Sequence, residues 1–197
     1  MPGIAVKPPS VQYGPRSRTV GRVPSPHSFD PIAEAHRQWS VRWPEHADHM
    51  AAVTSVMRVQ QLLLGRIEGL LKPHGLTFAG YEALRLLAFT RTGALPMGKM
   101  GQRLMVHPAS VTNVIGRLEQ RGLVLRRPSP DDRRIVLAEI TPAGRSLVAE
   151  ATETLNAADF GMPDLTAEQA AEVTARLRDV RVTTGDCAPV PEQTAPR

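Results

Sequence analysis

Cysteine is nearly missing from this 197-residue chain: the one thiol, Cys187, sits in a polar C-terminal stretch and excludes an internal disulfide. A lone thiol fits a reducing compartment, and the expectation is a cytoplasmic protein. Aromatic residues make up only 4% of the chain, so its core must be aliphatic. No uninterrupted apolar run approaches the ~18 residues of a membrane-spanning helix, and the N-terminus lacks the apolar stretch of a secretory signal. Catalytic signatures are missing too. There is no Gly-x-Ser-x-Gly, no phosphate-cradling glycine loop and no acid–base pair at a suitable spacing, so no enzyme and no cofactor is expected. His46 and His49 stand three apart, but no further ligand type joins them, and they read as surface histidines rather than a metal site.

What is present is positive charge, unevenly placed. The net charge is +5. Residues 1–28 carry Lys7, Arg16, Arg18 and Arg22, no acid and six prolines, and read as a disordered basic arm. Residues 184–197 sum to −1 and read as a disordered tail, which leaves only +2 on residues 29–183. Within that body, residues 99–134 hold eight Lys and Arg against Glu119, Asp131 and Asp132, a local +5. Such polarisation is the electrostatic footprint of a nucleic-acid binder.

Periodicity places this segment in a mainly helical chain. Asp30-Pro31 is a cap followed by a first-turn proline, and Ile32, Ala35, His36 and Trp39 follow at helical spacing up to Pro44. A long helix over 45–72 carries a stripe of Val53, Val56, Met57, Gln60, Leu63, Leu64, Ile67 and Leu71, expected to be buried. Thr77 caps a third helix with Tyr81, Leu84, Leu87 and Ala88 on one side. Two short helices follow, about 96–104 and 108–121, the second ending at Gly122. Leu123-Val124-Leu125 and Ile135-Val136-Leu137 are β-type runs joined by a charged, proline-bearing tip. Thr141-Pro142 restarts a helix over 142–160, and Thr166 with Gln169 forms a capping box for a last one over 167–182.

Two short helices and a hairpin make a winged helix-turn-helix. The helix over 108–121 turns Val111, Ile115 and Leu118 inward and shows Ala109, Ser110, Thr112, Asn113 and Arg117 on its other side. Small residues let a helix approach the floor of the major groove, and the polar ones reach bases and phosphates. On the projecting loop, Arg133 and Arg134 suit the negative potential of a minor groove. Asp132 is expected to share a strand face with Arg134 and to hold its guanidinium.

At this point the chain resembles a known family. HPASVTNVIGRLEQRGLV (107–124), SPDDRRIVLAEITPAG (129–144) and GLTFAGYEALRLL (75–87) are similar to the MarR family of transcriptional regulators. The Asp-x-Arg wing followed by Ile140-Thr141-x-x-Gly144 carries the likeness. The resemblance implies a mainly α winged-helix fold over about 76–141 with a two-stranded β wing and an α-helical dimerisation region built from the long first body helix and the last two helices. It implies a homodimer on a near-palindromic operator in double-stranded DNA, associated with the nucleoid. It makes Arg134 the wing arginine and Asp132 its partner. An extra N-terminal helix bearing Trp39 is similar to a urate-responsive subgroup. That likeness implies a ligand pocket from Trp39, Tyr81, Glu82 and Arg126, with Val114 where the subgroup has a second arginine. The function expected is repression released by a small anionic or aromatic effector. An effector-independent architectural DNA binder is the alternative.

Overall fold

The computed structural model describes residues 29–104 and 108–189; the side chains of 108 and 109 and the basic arm of 1–28 lie outside what is described. The chain forms two compact units, one ending at Gly65 and one beginning at Arg66, so that one long helix runs through both.

In the first unit, α1 spans Pro31–Arg42. Asp30 caps it as expected, its carboxylate accepting from the Ile32 N–H at 2.9 Å, with Pro31 in the first turn. Trp43 closes the helix, and its ring lies 4.8 Å from that of Trp39. His36 meets Asp48 at 2.8 Å. The long helix α2 spans Ala47–Leu71 after a short 3-10 turn at Pro44–His46. Its apolar stripe departs from expectation in one respect: Val53, Val56 and Met57 are exposed, and only Ile67 and Leu71 are buried.

The second unit begins with the last turns of α2 and continues with α3 (Phe78–Phe89), β1 (Ala94–Pro96), α4 (Met97–Leu104), α5 (Pro108–Gln120), β2 (Val124–Pro128), β3 (Val136–Ile140), α6 (Pro142–Ala157) and α7 (Ala167–Thr183). Thr77, Thr141 and Thr166 cap α3, α6 and α7 with their hydroxyls, the last in a full capping box. The core is aliphatic, as the scarcity of aromatics requires: Leu84, Leu87, Met100, Ile115, Val124, Val148 and Leu155 are fully buried. Each such side chain contributes about 1.5–3 kcal/mol by leaving water.

The sheet is antiparallel in the order β1-β3-β2. It exceeds the expected two-stranded hairpin by β1, three residues that pair Leu95 with Ala138 at the base of the wing. A strand this short, ending in a proline, leaves no alternation to read. The wing strands also run further than the apolar runs, through Arg126, Arg127 and Pro128 on β2. At the other end, residues 184–189 continue from α7 through a turn: Arg181 pairs with Asp186, and Arg178 donates to the Ala188 carbonyl at 3.1 Å. The part of the expected tail over 190–197 lies outside the described residues.

Candidate nucleic-acid interface

α4 and α5 form the helix-turn-helix. Met100 on α4 and Val111, Ile115 and Leu118 on α5 sink into the core and fix α5 by one side. The opposite side is open: Ser110, Thr112, Asn113 and Arg117 are all exposed. Ala109 occupies the first turn of the same helix. Arg117 also borders a cleft of about 380 Å³ shared with Thr77, Gly80 and Arg121, which places it at the flank of the reading face. Arg121 is held away from that face, donating to the carbonyls of Gly75 at 2.6 Å and His74 at 3.1 Å.

Gly122 makes the sharp exit from α5. Its φ of +69° is left-handed, and the Leu123 N–H returns to the Leu118 carbonyl at 3.0 Å. β2 then leads to the wing tip. There the Ser129 N–H donates to the Ile135 carbonyl at 2.8 Å, and Arg133 and Arg134 stand exposed in the turn. Asp132 does not hold the Arg134 guanidinium as expected. Its Oδ1 accepts from the Arg134 backbone N–H at 2.9 Å. The tip is a turn rather than a strand, so residues two apart do not share a face, and the short carboxylate closes on the nearby backbone instead. Asp132 shapes the loop that presents the arginines.

Of the four residues expected to line a ligand pocket, Tyr81, Glu82 and Arg126 lie in the second unit. Tyr81 is buried in the core, its hydroxyl 3.1 Å from Thr152 Oγ1 on α6. Glu82 borders a small apolar cavity of about 40 Å³ with Ala79, Leu104, Ser110 and Val114, and burial raises its carboxyl above the usual range. Arg126 is engaged by Glu119, its Nε donating to Oε2 at 2.7 Å. Trp39 belongs to the first unit, half-exposed beside Trp43. Sequence reasoning does not anticipate the bond between Glu119 and Arg126. Its only signal is a carboxylate and an arginine seven apart across a glycine turn.

Among the described residues no three His, Cys, Asp or Glu side chains gather as a metal ion would require, and no helix is long and apolar enough to cross a membrane.

Comparison with known proteins agrees with this arrangement. The MarR family model matches residues 76–136, the span from the start of α3 to the wing. Among solved structures, Sco5413, a MarR family transcriptional regulator from Streptomyces coelicolor, is 53% identical with a TM-score of 0.66, over 71% of this chain and 96% of that one. CouR from Rhodococcus jostii RHA1, solved bound to p-coumaroyl-CoA, is 26% identical with a TM-score of 0.57, over 70% of this chain and 92% of that one. The HTH-type transcriptional regulator YhbI of Bacillus subtilis is 36% identical over 43% of this chain and 54% of its own length. The chain thus spans about half the length of such curated relatives. With helix-turn-helix, wing and near-full-length likeness to Sco5413 in agreement, the chain belongs to the MarR family, a family of transcriptional regulators and not of enzymes.

Proposed function

We propose that this protein is a sequence-specific, homodimeric DNA-binding repressor that acts in the cytoplasm on a near-palindromic operator. The observation that carries the reading is the pairing of two exposed elements. α5 offers Ser110, Thr112, Asn113 and Arg117 beside Ala109 on one side, and the wing offers Arg133 and Arg134 on a tip shaped by Asp132. The first set suits base edges and phosphates of a major groove, the second an adjacent minor groove. Two exposed apolar stripes support dimerisation: Val53, Val56 and Met57 on α2, and Val173, Leu177 and Val180 on α7. Apolar faces of this extent call for a partner.

Release by a small anionic or aromatic ligand completes the proposal. Glu82 and Ser110 border one cavity of about 40 Å³, room for little more than water, so an aromatic ligand entering there would have to widen it against the reading helix. Tyr81 and Arg126, in the same unit as that cavity, are further candidates for contact with such a ligand. The relative CouR, solved bound to p-coumaroyl-CoA, suggests anionic aryl compounds as the molecules to try. A second reading, an architectural binder without effector, draws on the four cations and no acids of residues 1–28.

Titration of the DNA upstream of the protein's own gene, at near-physiological salt and with random competitor DNA in excess, separates the two. The repressor reading requires a complex that survives the competitor and is dissolved by an aromatic acid. An architectural binder loses its complex in proportion to competitor, because its affinity is electrostatic and blind to sequence.

A further inference from the structure

Glu119 sits in the last turn of α5, and Arg126 lies on β2 beyond the Gly122 turn. Among the described residues β2 pairs with β3 alone and is an edge strand. Its outward N–H groups therefore have no ladder partner. The Glu119 carboxylate takes one of them: Oε1 accepts from the Arg126 backbone N–H at 3.2 Å while Oε2 accepts from Nε at 2.7 Å and pairs with Nη2. One side chain thus grips strand and arginine together. Within the wing, Arg127 on β2 pairs with Glu139 on β3, so the two strands are tied to move as one body.

We propose that the clasp between Glu119 and Arg126 sets the angle of the wing against the reading helix, making both of them positioning residues for DNA recognition. This rests on the DNA-binding reading above. The clasp has little to do as a source of stability. Its side chains retain 32% and 37% of their exposure, and ion pairs in such settings contribute little. Its geometry matters more. The joint it spans is a glycine, the residue with the widest backbone freedom. From Arg126 to Ser129, where the tip begins beyond β2, is three strand steps, roughly 10 Å. A 10° rocking at the root then carries the tip arginines about 2 Å, more than a hydrogen bond tolerates. The hydrogen bond and charge of Arg126 also hold the Glu119 carboxyl below its usual range.

The clasp makes a prediction opposite in sign to plain electrostatics. Removing an acid beside DNA should tighten binding, because a repulsion disappears. Removing a positioning acid should weaken it. With Glu119→Ala in the full chain we expect operator affinity to fall about tenfold, the order expected when one segment must be ordered at binding. The flanking, wing-side protection in a hydroxyl-radical footprint should fade while the central protection stays. Arg126→Ala should do the same, and the double variant should be no worse than either single one. Unchanged or tighter binding by Glu119→Ala, or losses that add, overturns the proposal. A measurement without DNA keeps this separate from the functional reading. Spin labels at Gln102 and Asp131, with Cys187→Ser, report the spread of helix-to-wing distances. Glu119→Ala should broaden that spread; an unaltered distribution refutes the clasp whether or not the protein binds an operator.

Discussion

Gly144 offers a test of how the wing is rooted. It lies in the first turn of α6, where Thr141 Oγ1 accepts from its N–H at 3.0 Å. A Cβ at Gly144 would run into the Leu123 carbonyl, which itself accepts from the Thr141 N–H at 3.1 Å, and would press on Ile140. The obstacle is backbone, and it belongs to the stretch that starts β2. A flexible side-chain tip could swing aside at small cost; a carbonyl held in a hydrogen bond cannot. Gly144→Ala should therefore cost about 1–3 kcal/mol, the range for overpacking a close-packed site. For a chain of this size that lowers the melting temperature by roughly 2–4 °C per kcal/mol. Gly98 on α4 is the control, since a Cβ there meets nothing within 4 Å. Gly98→Ala should stabilise by about 0.5–1 kcal/mol, through the chain entropy glycine otherwise loses in a helix. Thermal melts of the three proteins at equal concentration decide the matter. If Gly144→Ala melts at or above the parent, the close approach of α6 to the wing root is wrong.

Three further expectations follow from the site and its supports. Arg134→Ala should weaken operator binding about ten- to hundredfold and flatten the salt dependence by about one unit of slope per arginine lost, measured by titration at several salt concentrations. Glu82→Gln should be more stable than the parent at neutral pH. Burial raises the folded-state pKa of Glu82, so the penalty of its charge is absent below the ordinary carboxylate value, grows as pH rises toward the raised one and is complete above it. Urea melts should show the gap at about pH 7 and none near pH 4; an equal gap at both would contradict the burial. Thr141→Ala should cost about 1 kcal/mol in the same melts, because its hydroxyl both caps α6 and donates to the Gly122 carbonyl at 2.8 Å.

Where the chain announces its helices, it does so through single polar residues. Asp30, Thr77, Thr141 and Thr166 each precede an apolar period, and each is a cap whose side chain accepts from the turn it opens. Helix starts of this kind are local chemistry and therefore legible. The reading side of α5 was legible for a related reason, since a helix buried by Val111, Ile115 and Leu118 must show its other side. Contacts made across the fold were not legible. The Tyr81 hydroxyl meets Thr152 on α6, far along the chain. The Gly122 turn delivers Arg126 to Glu119. The role of Asp132 depended on whether the tip was strand or turn, and alternation says nothing about that. The periodic apolar face of α2 asks for cover, and periodicity does not tell whose surface supplies it.

In the proposed function, two identical reading heads engage one face of the DNA. A hydroxyl-radical footprint of the full-length protein on its own upstream DNA, with random competitor in excess, tests it most directly. The account expects two protected half-sites related by a dyad, centred about one helical turn apart, each flanked by minor-groove protection from a wing. Continuous protection without a dyad, or protection that disappears with competitor, would contradict it.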